Sequence, residues 1–197
     1  MKNGNHKIEE IEGDKCKFVT VYMGSAYGNK KHFKLLAFEL AEGLVKMGKK
    51  IVYGGANYGL MGEVADTALA KGGEVYGVFP CGNLVPSEQC HEKLTEITIT
   101  DTMAERKTLL IKKGDIICSL PGGAGTMEEI TEVISQKNLG HHAKPLLLLN
   151  IDKYYDPMIE MYKKMEEHGF LKKTCDKLFE CPTSVDDMLK RIQELSV

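Results

Sequence analysis

The 197-residue chain reads as an α/β fold, a parallel sheet with helices on both faces in a single domain. Three observations predict it. Short, continuously apolar, β-branched runs recur between longer amphipathic stretches, the pattern of strands buried on both faces. Glycines gather where a strand run gives way to a helix run. The composition, 43% hydrophobic and 27% charged, is that of an ordinary globular domain, long enough to bury a core without staples.

The elements follow in order. Lys17 to Met23 is an apolar strand, and Lys30 to Met47 an amphipathic helix stopped by Gly48. Lys50 to Tyr53 is a second strand, Leu60 to Lys71 a helix closed by Gly72 and Gly73, and Glu74 to Phe79 a third strand. Residues 80–93, with two Pro and two Cys, read as an irregular crossover. Then come strand Leu94 to Ile99, helix Thr102 to Lys113, strand Asp115 to Leu120, helix Thr126 to Asn138, strand Pro145 to Leu149 and helix Tyr155 to Glu167. A short strand is expected around Leu178 and Phe179. Ser184 to Leu195 closes the chain as a helix with Val185, Met188, Leu189, Ile192 and Leu195 on one side. Residues 1–15 form a polar extension and 16–197 the domain, with no internal repeat or linker.

Composition removes several function classes. Twenty-six Lys and Arg against 28 Asp and Glu give a net charge of −2 without a basic stripe, which disfavours nucleic acid and anionic membranes as partners. No apolar run approaches the roughly 20 residues a bilayer demands. The opening MKNGNHKIEEIEGDK lacks the apolar stretch of a signal peptide, so a cytoplasmic location is expected. Six cysteines suit that address as reduced thiols, Cys16 and Cys118 inside buried strands and the others scattered without a C-x-x-C pair. His141 and His142 read as loop residues. No metal and no cofactor is expected.

Ligands of such a sheet gather outside the carboxyl ends of its strands, which selects three junctions. The strongest runs from Leu120 to Glu129, LPGGAGTMEE. Its glycines let the main chain approach a ligand and aim N–H groups at it, and a helix N-terminus adds partial positive charge, so a phosphate suits it. Thr126 caps the helix or donates its hydroxyl to a phosphate. The segment is no Walker A sequence, because no Lys-Ser or Lys-Thr follows, and it lacks the third glycine of the dinucleotide fingerprint. Glu128 and Glu129 complement the helix dipole in the bland reading. On a helical projection, however, Met127, Ile130 and Ile134 form the apolar face, Glu132 lies opposite in solvent, and Glu129 sits at the edge of the buried stripe beside the turn. The second junction is Met103-Ala104-Glu105-Arg106-Lys107. Arg106 and Lys107 straddle the apolar side of their helix, either snorkelling from its edge or anchoring an anion. The third, Tyr53 to Gly62, carries Gly54 and Gly55 in a turn that equally suits plain helix packing.

Together these segments resemble the Lonely Guy family of cytokinin-activating phosphoribohydrolases, often labelled lysine decarboxylases. The hallmark P-G-G-x-G-T-x-x-E is met by Pro121 to Glu129 and M-x-x-R-K by Met103 to Lys107. The likeness runs from about Phe18 to Phe170, including Gly59-Leu60-Met61-Gly62 and Leu139 to Pro145. It implies a Rossmann-like, usually dimeric protein that hydrolyses the N-glycosidic bond of a nucleoside 5'-monophosphate to free base and ribose 5-phosphate. It assigns catalysis to Arg106 and Glu129, and phosphate binding to Gly123, Gly125 and Thr126 with Gly122. The same resemblance makes Ser25, in the family's C-G-S-[SA] turn, a further expected contact to the nucleotide. Glu88 matches a glutamate near the sugar or base, and Gly54, Gly55, Met103 and Lys107 complete the substrate-binding set. Met23 stands where many members have Cys and Ala104 where the common form has His, which leaves base preference open.

The expected activity is therefore release of base from AMP-like nucleotides, N6-prenylated ones included, by a homodimer. A non-catalytic nucleotide or cofactor carrier is the alternative. Decarboxylation with pyridoxal phosphate fits worst, because no lysine is singled out as a Schiff-base former.

Overall fold

A computed structural model describes residues 16–82 and 89–197. The expected extension over 1–15 and the candidate Glu88 lie outside the described residues. Six strands form one parallel sheet: β1 (Phe18–Tyr22), β2 (Lys50–Tyr53), β3 (Val75–Pro80), β4 (Glu96–Thr100), β5 (Ile116–Ser119) and β6 (Leu146–Leu148), in the order β4-β3-β2-β1-β5-β6. The chain thus leaves β1 toward one edge and returns to β5 on its other side. The order reverses between β1 and β5, where loops diverge and a crevice opens.

The strands are buried on both faces because helices cover both. On one face α1 (His32–Lys46), α2 (Gly59–Ala70) and α7 (Val185–Leu195) pack Leu40, Leu44, Val64 and Met188 against Val19, Val21 and Cys118. On the other, α3 (Met103–Lys113), α4 (Ala124–Leu139) and α5 (Asp156–Glu167) pack Leu110, Ile130, Ile134 and Tyr162 against Tyr22, Ile117 and Leu148. Successive strand residues therefore serve opposite cores, the period-2 consequence of the pleat.

Two expectations need correction. Leu178 and Phe179 do not form a strand: Cys175–Leu178 is a one-turn helix, α6, that drops Leu178 into the core. Only Glu180 meets the sheet, donating its N–H to Leu146 and accepting from Leu148. Cys16 lies before β1, half-buried, and its thiol donates to the Leu195 carbonyl, whereas Cys118 is fully buried in β5.

Two local features place the site. Thr102 accepts the Glu105 N–H at 3.1 Å while the Glu105 carboxylate accepts the Asp101 N–H at 3.0 Å, and this reciprocal cap fixes the start of α3 and the face on which Arg106 emerges. Beyond β5, the Tyr155 hydroxyl donates to the Leu120 carbonyl at 2.6 Å and lies 3.0 Å from the Ser119 hydroxyl, pinning the strand end. Burial pushes the Tyr155 phenol up, so it remains a donor. Tyr155→Phe keeps the ring but leaves the Leu120 carbonyl with the Ser119 hydroxyl alone, at 3.0 Å; it is expected to cost about 1 kcal/mol, read from urea unfolding.

Candidate functional site

The loop from Leu120 to Gly123 leads from β5 into α4. The Pro121 carbonyl accepts the Gly24 N–H at 3.2 Å, which ties it to the loop after β1. Gly122 fits by necessity, since a Cβ there would lie 2.2 Å from Thr126 Oγ1 and 2.8 Å from the Gly24 nitrogen. Gly123 and Gly125 are different: an added Cβ would meet nothing within 4 Å. Neither has a left-handed backbone and both are exposed; glycine is an ordinary residue at the N-cap position of Gly123, whereas Gly125, inside the first turn, costs up to about 1 kcal/mol relative to alanine. The space beside Gly125 is thus kept open at the expense of helix stability.

α4 begins at Ala124, two residues earlier than its apolar periodicity predicts, with Gly123 as N-cap and no side chain accepting from the first turn. The expectation that Thr126 caps the helix is therefore corrected; it sits buried inside the first turn, with its side chain packed against Gly122. The first-turn amides of an α-helix have no intrahelical acceptor, and with the positive end of the dipole they suit an anion.

Arg106 does not snorkel. Its side chain is 7% exposed, with Nε donating to the Val78 carbonyl at 3.0 Å, Nη2 to the Gly54 carbonyl at 3.2 Å and Nη1 to Glu129 Oε1 at 3.1 Å. Glu129 is 11% exposed. A cavity of about 230 Å³ is lined by this pair together with Ser25, Gly123, Gly125 and Thr126, and Met23, Met61 and Met103 add an apolar wall. Residues from the ends of β1 and β5 and from α2, α3 and α4 thus converge on one site. Beneath it the Tyr22 hydroxyl is buried, and burial followed by the charge of Glu129 holds it well above the usual phenol value.

The other sequence candidates take supporting places. Gly54 offers its carbonyl to Arg106 and leaves room for it, since a Cβ would lie 2.1 Å from Nη2. Gly55, in the left-handed region, packs on Phe79 and accepts the His91 N–H. Lys107 turns to the surface of α4, 2.8 Å from Glu128 and 2.7 Å from Glu132, and these two carboxylates hold its ammonium above the ordinary lysine value. Glu132 is accordingly half-buried and paired, not solvated as expected: the projection treated α4 alone, while Lys107 of α3 lies against that side. Sequence reasoning did not single out Met61 or Met23 as lining residues; their place at the strand and helix ends was the available signal. Among the described residues no group of His, Cys, Asp and Glu is gathered as metal ligands would be.

Comparison with known proteins gives the family. A family model described as "Possible lysine decarboxylase" matches residues 61–192. The chain is 38% identical over 176 residues to a probable cytokinin riboside 5'-monophosphate phosphoribohydrolase of Oryza sativa subsp. japonica, covering 89% of this chain and 78% of that one. It is 37% identical over 185 residues to a cytokinin riboside 5'-monophosphate phosphoribohydrolase of Arabidopsis thaliana, covering 94% of this chain and 86% of that one. The chain belongs to the Lonely Guy family. Its fold is shared beyond that family. The molybdenum cofactor carrier protein of Chlamydomonas reinhardtii superposes with a TM-score of 0.70 at 16% identity, over 92% of this chain and 98% of that one. The molybdenum cofactor binding protein of Rippkaea orientalis gives 0.69 at 17%, over 93% and 99%. At such identity the likeness concerns the backbone alone.

Within this Lonely Guy chain the seat of Arg106 is the tightest part of the site. Gly54→Ala, at a position outside the left-handed region, is expected to drive the guanidinium from its carbonyl and from Glu129 and to cost about 1–3 kcal/mol in chemical unfolding.

Proposed function

We propose that the protein hydrolyses the N-glycosidic bond of AMP-like nucleoside 5'-monophosphates, N6-prenylated ones included, giving free base and ribose 5-phosphate. The single observation that carries this reading is the shared cavity. Open glycines at an uncapped helix N-terminus lie one helical turn below a carboxylate that is only 11% exposed. Gly125 and Glu129 are four residues apart on one face of α4, about 6 Å along the axis, the reach from a 5'-phosphate across its ribose.

The phosphate takes the first-turn amides of α4 with the Thr126 and Ser25 hydroxyls. This remote binding energy fixes the ribose against Glu129. As the C1'–N bond opens, positive charge grows on the sugar, and the Glu129 carboxylate stabilises it and orients the attacking water. Arg106 is tethered to two backbone carbonyls, so its part is to hold Glu129 aimed, not to swing out to the phosphate. Met23, Met61 and Met103 supply a polarizable apolar wall for the sugar and base.

Three further parts of the reading are proposals of the same kind. The functional unit is a homodimer; Ile97 and Ile99 on edge strand β4 remain solvent-exposed and offer apolar area for a second copy. The protein works in the cytoplasm. Its partner is a small nucleotide and neither nucleic acid nor membrane; no helix of the described residues is long and apolar enough to cross a membrane. Decarboxylation through a Schiff base is disfavoured because no lysine among the described residues lines the cavity and Lys107, next to Arg106 in sequence, is kept charged by two carboxylates where that chemistry needs a neutral amine.

Wild-type protein is expected to release base from AMP and isopentenyladenosine monophosphate and not from the matching nucleosides, scored by chromatography; equal cleavage of nucleosides would discard the phosphate anchor. AMP bound and recovered intact would favour the carrier reading instead. Glu129→Gln should lower kcat by at least about a hundredfold while circular dichroism stays native. Gly125→Ala should leave stability equal or raised by up to about 1 kcal/mol yet raise KM for AMP, since its methyl group enters the phosphate's space.

A further inference from the structure

Resting on the monophosphate reading above, we propose that Tyr154 is a positioning residue for the phosphate cradle, holding the Gly122–Gly123 peptide with its N–H toward the anion. The Tyr154 hydroxyl donates to the Gly122 carbonyl at 2.6 Å. A trans peptide is planar, with C=O and N–H pointing opposite ways. Fixing the Gly122 carbonyl toward Tyr154 therefore turns the Gly123 N–H away from it. Tyr154 and Gly122 line a second cavity of about 370 Å³ between the loop after β1 and Pro121, and Gly123 lines both this cavity and the catalytic one. The Gly123 amide is thus directed across the wall that the two cavities share.

The neighbouring peptides are held in the same sense. Leu120, Pro121 and Gly122 give their carbonyls in turn to the Tyr155 hydroxyl, the Gly24 N–H and the Tyr154 hydroxyl. Three successive carbonyl oxygens are drawn back from the place where a dianion would sit, and an unrestrained Gly-Gly peptide is the one most able to rotate and present its oxygen to that anion. Tyr154 is the only one of the three donors that is solvent-exposed, at 42%, and is not part of the sheet or its core.

The turn that delivers Tyr154 carries local strain. Asp152 and Lys153 are consecutive non-glycine residues in the left-handed region, at φ 51° and 59°. Such conformations persist where surrounding contacts overdetermine them. Here the Lys30 ammonium donates to the Asp152 carboxylate at 2.8 Å, with the His32 ring beside it. The Asn150 side chain also accepts the Tyr155 N–H and donates to Asp156, both at 2.8 Å. The turn is thereby fastened to the loop before α1, and the hydroxyl of Tyr154 is carried to one carbonyl of the cradle.

Tyr154→Phe tests this, because the ring keeps its edge contacts with Phe33 and Tyr155 at centroid distances of 6.4 and 5.1 Å. The ligand-free melting temperature should stay at the wild-type value. KM for AMP should rise between about threefold and tenfold, the value of one hydrogen bond, with kcat retained. The melting shift produced by ribose 5-phosphate or inorganic phosphate should shrink in parallel. An unchanged KM with an unchanged phosphate shift overturns the proposal. So does a loss confined to kcat, or a loss of ligand-free stability large enough to account for the weaker binding. The phosphate-induced shift needs no turnover, so it decides the role of Tyr154 even if wild-type protein released no base from any monophosphate, a result that would instead discard the proposed activity.

Discussion

A buried guanidinium is the constraint around which this site is built. Taking a cation out of water costs several kcal/mol, and that cost is offset only where each face of the group finds a well-placed acceptor. Arg106 finds three, on three different elements: the Val78 carbonyl in β3, the Gly54 carbonyl after β2 and the Glu129 carboxylate on α4. Each acceptor fixes something else. The carbonyl of Gly54 is reachable only because that residue has no side chain. Glu129 is held at the mouth of the cavity because it is the counter-ion. Removing any one partner leaves a buried charge underserved, so the helix carrying the carboxylate and the helix carrying the arginine are locked at one separation.

The remaining groups complement this electrostatically neutral pair. Lys107, next in sequence, is neutralised by Glu128 and Glu132 on the outer side of the same two helices, a second α3–α4 clasp whose charges face solvent instead of ligand. The cavity is left with a paired arginine, a carboxylate and an uncapped helix end. Those first-turn amides are the donors best placed for an anion, and they suit a single phosphate group in contact with one helix N-terminus. The division of labour follows from burial: what is paired and buried orients, and what is exposed and unpaired by the helix binds.

Much of this was legible in the chain because the relevant signals are local. Doubly buried strands read as continuous apolar runs, and all six strands of the sheet fall within two residues of their expected ends, from Phe18–Tyr22 to Leu146–Leu148. Glycine loops before helices marked the junctions, and charges on the apolar side of α3 marked Arg106. What escaped depends on packing between elements. Glu132 faces solvent on an isolated projection of α4 but meets Lys107 once α3 lies beside it. Leu178 and Phe179 are apolar enough for a strand, yet one helical turn buries them equally well while Glu180 alone touches β6. Tyr154 follows a strand without any glycine to flag the loop, and its partner is a backbone carbonyl 32 residues away, which no periodicity records.

The glycines sort by the same logic, and the sorting carries the functional argument further than their number does. Gly54 and Gly122 are small because the protein itself fills the space where a Cβ would stand, with Arg106 in one case and Thr126 in the other. Gly123 and Gly125 have neither a neighbour at that position nor a backbone that demands glycine; Gly123 is a serviceable N-cap, but Gly125 weakens the first turn of α4. A sequence under no pressure but folding would place alanine at Gly125. Its cost is explained by something that is not protein and needs to come within touching distance of the main chain, and the uncapped helix N-terminus beside it suits an anion.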